Sequence, residues 1–406
     1  MKAAGKTDYD IVVVGGGLVG SSLACALAGT PYSVMVIESG PAQSHVTEQY
    51  DLRVSAITGA SKNFFSSIGI WGTMQSMRMG QVREMEIWDE GGKGSLHLDA
   101  ALTGEACLAY IIENSVIRAA LYDRLKTVEN IEYREQTQVI FNQFAEEYVQ
   151  LTVGGEQIRT RLVVGADGAR SAVRDWAEIE TGGWSFDQTA IVATVRTELA
   201  HNFTAYQRFL QTGPLAFLPL DELHSSSIVW SADTKRANEL AGLSQSEFVT
   251  QLEQAFERRL GAVERVSERA CFPLSLMHVD RTVDHRVVLV GDAAHRVHPL
   301  AGQGLNLGLA DVAALAELLS TGTPDAGQAR VLRQYERWRA GDTRMMVRMM
   351  DVFKRLYGSP QPVLRGLRNF GMDMVDADNT IQGLIMSFAS GSTGDVPMSM
   401  KTGSSK

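Results

Sequence analysis

Tyr9-Asp10-Ile11-Val12-Val13-Val14 has the length and β-branched content of a buried strand, and it runs directly into Gly15-Gly16-Gly17-Leu18-Val19-Gly20 and an Ala- and Leu-rich helical stretch. A G-x-G-x-x-G placed between strand and helix leaves few folds open. Gly15 permits the tight turn, Gly17 lets a pyrophosphate approach the backbone, and Gly20 lets the helix pack on the strand. The next apolar run, Ser33 to Ile37, ends on Glu38, at the spacing where an acid grips adenosine ribose hydroxyls. The pattern predicts a dinucleotide-binding α/β domain; by itself it does not separate NAD from FAD.

Two later strand ends repeat the theme. Arg161 to Gly165 leads into Ala166-Asp167-Gly168-Ala169-Arg170-Ser171-Ala172-Val173-Arg174, and Arg286 to Val290 leads into Gly291-Asp292-Ala293-Ala294-His295. Open α/β sheets bind ligands at the carboxyl ends of their strands, so the Asp292 carboxylate is placed to accept from a ribose or ribityl hydroxyl. Beyond Pro299, Ala301-Gly302-Gln303-Gly304 offers bare N–H groups at a helix start, a setting for an anion or a reduced flavin ring. Each acid alone could be a solvated turn residue. Three such ends in one chain are harder to explain as independent turns.

At 406 residues the chain exceeds the usual single-core size, so two domains or one with large insertions are expected. The net charge of −9, with no basic patch interleaved with aromatics before residue 330, argues against a nucleic-acid partner. Cys25, Cys107 and Cys271 are isolated and lack a paired ligand motif, which predicts reduced thiols, a reducing cytosol and no metal. No secretory leader and no apolar run of the roughly 18 residues needed to span a bilayer is evident, so a cytoplasmic protein is expected, soluble or peripheral. Glu84 to Asp89 and Ser95 to Leu98 read as a hairpin, and residues 187–231 have strand-like periodicity. From Arg333 to Arg368, nine Lys or Arg stand against three Asp or Glu in a Met-rich helical pattern. That segment is either a solvated face over a Met-containing core or a surface for anionic lipid, with Met345, Met346, Met349, Met350 and Phe353 as adaptable apolar contacts.

The glycine fingerprint, the Gly-Ala-Asp-Gly-x-x-Ser-x-Val-Arg segment and the Gly-Asp-Ala-Ala-His…Pro…Gly-Gln-Gly-x-Asn segment, in this order, resemble the class A FAD-dependent aromatic hydroxylases over roughly residues 8 to 340. Within that class the chain is most similar to the ubiquinone-biosynthesis hydroxylases. The segments that carry this are Asp51 to Ile57, Glu113 to Ile117, Gly213 to Leu220, Ser227 to Trp230 and His298 to Gly304. The branch that hydroxylates a 2-polyprenylphenol looks closest. The resemblance implies an α/β fold: a Rossmann-like FAD-binding domain of the glutathione-reductase and p-hydroxybenzoate-hydroxylase type, an inserted mixed β-sheet substrate domain, and C-terminal helices. Expected boundaries are 1–80, 102–182 and 279–340 for the FAD domain, 81–101 and 183–278 for the substrate sheet, 341–389 for the helices and 390–406 for a flexible tail.

The resemblance also implies that NADPH or NADH reduces FAD, that O2 adds at flavin C4a, and that the resulting hydroperoxide gives one oxygen to a phenol ring. The cofactor carries the hard chemistry, so no nucleophilic triad is expected, and neither Gly-x-Ser-x-Gly nor His-Glu-x-x-His occurs. By match to the family, Gly15, Gly17, Gly20 and Glu38 hold the ADP half. Gly291, Asp292, Pro299 and Gly302, Gln303, Gly304, Leu305 and Asn306 hold the ribityl chain and ring. Arg53, Asn114 and Asp167 approach the cofactor; their ordinary alternatives are an ion pair, a helix N-cap and a turn. His298, beside Pro299, is the first candidate for a base near the phenol and His295 the second. Phe209, Phe217 and Trp230 are candidates for lining the substrate cavity, and equally for the core. A quinone-synthesis assembly and peripheral membrane contact through 333–370, on the inner face of a membrane, are the partners the resemblance suggests. A demethoxyubiquinone hydroxylase and a flavin-bearing scaffold subunit are the competing readings. A NAD dehydrogenase would share only the first fingerprint, and the Trp-x-Trp-x-Ile-Pro segment of flavin halogenases is absent.

Overall fold

The protein is described here by a computed structural model, covering residues 7–42, 45–90, 94–297, 303–357, 382–383, 386, 390–391 and 394–401. The side chains of 303, 346–347 and 349–357 lie outside that description. The helices in chain order are α1 (Leu18–Ala26), α2 (Gly59–Ser67), α3 (Trp71–Ser76), α4 (Asn114–Leu125), α5 (Ala172–Trp176), α6 (Thr234–Gly242), α7 (Gln245–Ala255), α8 (Gln303–Ser320) and α9 (Ala329–Tyr357).

A parallel sheet sets up the site. Its neighbouring strands are Val287–Leu289, Glu156–Gly165, Tyr9–Val14, Val34–Ile37 and Ile131–Arg134. Val14 stands opposite both Gly165 and Ile37, and Gly165 opposite Leu289. All four of these strands therefore stop at one edge. Backbone bonds carry the alignment one residue further, from Gly15 N to Ile37 O (2.8 Å), Ala166 N to Val14 O (2.8 Å) and Val290 N to Gly165 O (3.0 Å). Strands buried on both faces need continuous apolar runs. Here α1 and α8 cover one face over Ile11, Val13, Val34, Leu162, Val164 and Val288, while Trp176 and Phe144 close over the other, their rings stacked 4.0 Å apart.

The second sheet is almost wholly antiparallel. It runs from His295–Arg296 through Ala270–Val279, Thr181–Thr197, Ser225–Asp233, Gly213–Pro219, Thr204–Leu210 and Glu84–Asp89 to Ser95–Asp99; only the pair Thr204–Leu210 with Glu84–Asp89 is parallel. The expected hairpin at 84–98 and the strands of 187–231 are both present. Sequence periodicity had not revealed α6 and α7, which pack on one face of this sheet around Phe248 and Leu252. A capping box at Ser244 and Glu247 starts α7. A small antiparallel sheet of Val54–Ile57, Ala109–Glu113 and Gly80–Val82 lies between the two. Among the described residues, no helix is long and apolar enough to cross a membrane.

Candidate functional site

The three glycine-and-acid motifs meet at the common edge of the parallel sheet. Gly15 has φ +105°, and a Cβ there would stand 2.3 Å from Ala166 O. A Cβ on Gly20 would stand 2.0 Å from Gly15 O, so the first turn of α1 rests on the loop it follows. Gly17 differs, since a Cβ there meets nothing within 4 Å. The open side of Gly17 is a cradle with no atom of the described residues within 4 Å of that Cβ position, as a backbone approached by a pyrophosphate requires.

Glu38 is fixed beside that cradle. Its carboxylate accepts from Gly16 N (2.9 Å) and Gly40 N (2.9 Å), which orients both oxygens and leaves lone pairs for ribose hydroxyls. Tyr133, absent from the sequence reading, donates to Gly16 O at 3.3 Å. Burial, then the Glu38 charge, pushes its phenol up to about 12, so it remains a donor at neutral pH.

At the third strand end, Gly291 adopts φ +59° under Val19, and a Cβ there would lie 3.1 Å from Val19 Cγ2. Asp292 is exposed and its carboxylate meets no donor among the described residues. A polar group left open at the mouth of a cofactor edge suits a hydroxylated ribityl chain. Gly304 and Leu305 lie in the first turn of α8, and Gly308, one turn further on, packs against Gly291. His298, Pro299 and Gly302 lie outside the described residues, as does the Gln303 side chain. The Asn306 side chain turns away from the edge: it donates to Ala56 O (2.8 Å), accepts from Thr58 N (3.2 Å), and so staples α8 to the small sheet.

Asp167 is held by protein. It accepts from the Ser171 hydroxyl, from Ala172 N (2.7 Å) and from Val173 N (3.2 Å), which caps the start of α5. The carboxylate thus carries the structural duty weighed for it, and direct contact with cofactor would add to that. Arg174 reaches from the same segment to Ala293 O (3.2 Å) and Ala169 O (3.1 Å), fastening the second motif to the third. Asn114 is not an N-cap: it is the first residue of α4, buried, and accepts from Ser55 Oγ at 2.8 Å. Asp51 caps that helix from outside by accepting from Ser115 N (3.1 Å). Among the described residues Arg53 has no acidic partner; its guanidinium lies 5.8 Å from the Phe272 ring, spanning the gap to the antiparallel sheet.

That contact tells which face of the antiparallel sheet looks toward the cofactor edge. Directly paired residues share a face and neighbours alternate. Phe272 pairs with Ala190 and Ala190 with Ser231, so their face is the Arg53 side. Ile191, Trp230 and Leu215 form the next row on the opposite face, under α6 and α7. Phe217 and Trp230 are therefore core residues, and the expectation that they line the cavity is corrected; Phe217 stacks on Phe256 at 3.7 Å, and Trp230 packs on Phe248. Phe209 has the other parity. The Arg53 side carries Phe209, Val192, Val229, Ala216 and Gln207.

His295 is corrected as well. It is buried, with Nε2 2.6 Å from Asp311 Oδ2, and does not face an open cleft. Asp311 also accepts from Gly291 N (3.0 Å) and from Arg339 Nε (2.9 Å). Burial alone would push the Asp311 carboxyl up, but His295 and Arg339 hold it below its ordinary value. Neither Asp311 nor Arg339 stood out in the sequence. The available signal was one acid inside the apolar run Leu307 to Leu315, a setting that rarely buries a carboxylate unless it is paired.

A parallel sheet whose three motif-bearing strand ends share one edge, with an antiparallel sheet beside it, is the fold of the FAD-dependent monooxygenases, and the open cradle at Gly17, the fixed Glu38 and Asp292, whose carboxylate meets no donor among the described residues, fit FAD. The model of the FAD binding domain family matches residues 8–349. The chain belongs to this family and, within it, to the ubiquinone-biosynthesis hydroxylases. It is 34% identical to the mitochondrial ubiquinone biosynthesis monooxygenase COQ6 of Xenopus tropicalis, over 96% of this chain and 95% of that protein. It is 35% identical to the 3-demethoxyubiquinol 3-hydroxylase of Escherichia coli, over 94% and 98%, and 36% identical to the ubiquinone hydroxylase UbiL of Rhodospirillum rubrum, over 94% and 89%. In fold it is similar to p-nitrophenol 4-monooxygenase PnpA of Pseudomonas putida, with TM-score 0.77 at 21% identity over 94% of this chain and 97% of that one.

Proposed function

We propose that the protein hydroxylates the aromatic ring of a polyprenylated phenol in ubiquinone biosynthesis, with 2-polyprenylphenol as substrate, NADPH or NADH as reductant and O2 as cosubstrate. The observation that carries this reading is end-to-end similarity to hydroxylases named for ubiquinone synthesis in both vertebrates and bacteria. FAD, when bound, supplies electron storage and oxygen activation. This chain's residues then have three tasks. Gly15, Gly17, Gly20 and Glu38 hold the ADP half. Gly291, Asp292 and the backbone from Gly302 to Asn306 hold the ribityl chain and ring, with Arg53, Asn114 and Asp167 at its approaches. The apolar wall of Phe209, Val192, Val229 and Ala216 keeps water from the ring and orients the phenol.

His298, beside Pro299, is the proposed group that takes the phenol proton, since ring hydroxylation needs electron density that a phenolate provides. Wild-type hydroxylation with an unchanged pH profile in His298→Ala would remove that assignment. The 35% identity to a demethoxyubiquinol hydroxylase supports a second reading, in which the later ring position is the target.

Membrane contact through 333–370 is proposed on one feature of α9. Arg330, Arg333, Arg337, Arg344 and Arg348 are exposed, make no ion pair among the described residues, and fall within about 60° of one another at 3.6 residues per turn. This stripe supports an anionic lipid surface or an assembly partner. The deciding experiment is mass spectrometry of lipid-extracted quinone intermediates from cells lacking the gene, with and without its restoration. Accumulated unhydroxylated polyprenylphenol that clears on restoration supports the first reading; accumulated demethoxyubiquinone supports the second, and an unchanged profile rejects both.

A further inference from the structure

Four parts of the fold meet at one carboxylate. Asp311 comes from α8, Arg339 from α9, Gly291 from the third strand end, and His295 from the edge strand through which the antiparallel sheet joins that strand end, pairing with His278. Side-chain exposure is 2% for Asp311, 2% for Arg339 and 4% for His295. Arg339 continues to Asp342, which is more exposed.

A buried ionic cluster is an inefficient way to fill a core, since apolar residues of the same volume usually give equal or greater stability. What apolar residues cannot provide is an acceptor for Gly291 N. That N–H belongs to a left-handed turn one residue before Asp292, with Gly308 of α8 so close that a Cβ there would come within 3.2 Å of Gly291 Cα. The turn is held by contact from Val19 and Gly308 and by the charge-assisted hydrogen bond that Gly291 N donates to Asp311. Asp311 keeps its charge because His295 and Arg339 compensate it.

We propose that Asp311, His295 and Arg339 are positioning residues for the flavin turn, and that Arg339 makes retention of FAD depend on the C-terminal helix α9. The proposal rests on the reading that Gly291 and Asp292 receive FAD. The cluster touches no reacting atom: it fixes where the Asp292 backbone stands, and α9 supplies one of the two partners that compensate the Asp311 charge.

The test titrates FAD into full-length apoprotein, following flavin fluorescence, with the apoprotein melting temperature measured in parallel. Arg339→Met should lower the melting temperature and weaken FAD by about tenfold or more, the scale of a lost hydrogen bond to a charged group. The double variant Asp311→Leu/Arg339→Met removes both charges and refills their volume. It should recover part of the apoprotein melting temperature lost in Arg339→Met while FAD remains about tenfold weak, because Gly291 N still lacks its acceptor. FAD affinity that returns along with stability overturns the proposal. Where the double variant does not fold, Arg339→Gln prepared at low temperature decides: binding within twofold of wild type overturns the proposal, and weakened binding rescued in Arg339→Lys supports it. Asp292→Ala keeps the two ideas apart. Wild-type FAD affinity in that variant rejects the placement of the cofactor at this turn; a weak Asp292→Ala beside a fully binding double variant rejects the positioning role alone.

Discussion

Gly15 and Gly17 stand two positions apart and answer to different demands. Gly15→Ala forces a side chain into φ +105° and against Ala166 O, and should cost more than about 1 kcal/mol in the apoprotein, read as a lower urea midpoint. Gly17→Ala has free space and should leave the apoprotein midpoint unchanged while weakening FAD, read by flavin fluorescence titration. Equal FAD affinity in Gly17→Ala and wild type would remove the cradle from the binding site. Asp292→Ala should purify largely without FAD, measured as visible flavin absorbance per protein. These residues were legible in the sequence because local backbone geometry demands glycine and a strand end demands an acid beside it. The Asp311 cluster was not, since His295 lies 16 positions and Arg339 28 positions from Asp311, and no local pattern marks a meeting made by two helices and a turn.

Strand alternation identifies the two faces of the antiparallel sheet without saying which of them the helices will cover. That is why Phe217 and Trp230 passed as cavity candidates: period two was plain in the sequence, while α6 and α7, short and mixed in character, were not seen. Phe217→Ala should cost about 3–5 kcal/mol of stability through its lost contact with Phe256, with KM for the phenol unchanged in the protein that remains folded. Ala216→Trp, on the Arg53 side, should raise KM with little loss of stability. A KM effect from Phe217 rather than Ala216 would reverse the assignment of faces.

For the whole molecule, acid is the condition that exposes the buried cluster. The Asp311 carboxyl titrates lower in the folded than in the unfolded chain, so its contribution is complete above the ordinary aspartate value of 3.8 and is lost as the pH falls through the lowered folded value. Glu113 works the other way: burial raises its carboxyl despite Arg78, so protonation on acidification returns stability there. Because Asp311 is the more deeply buried and the more fully compensated, the melting temperature should hold from neutral pH and fall below about pH 4. A melting temperature that stays flat to pH 3 would contradict this ordering. On the lipid side, reversing Arg333, Arg337 and Arg344 to Glu should abolish flotation with vesicles of anionic phospholipid; retained flotation would assign the stripe to a protein partner.

The far end of the chain also closes the flavin domain. Trp338 donates to Asp395 O (2.7 Å), Met398 N to Glu317 (2.6 Å) and Asn63 to Met400 O (3.1 Å), so residues near position 400 seal α2 against α8. Strand Tyr9–Val14 sits beside Glu156–Gly165, which in turn pairs with Val287–Leu289. A fragment that stops short of residue 290 therefore lacks the third strand end, and with it the turn at Gly291 that completes this edge.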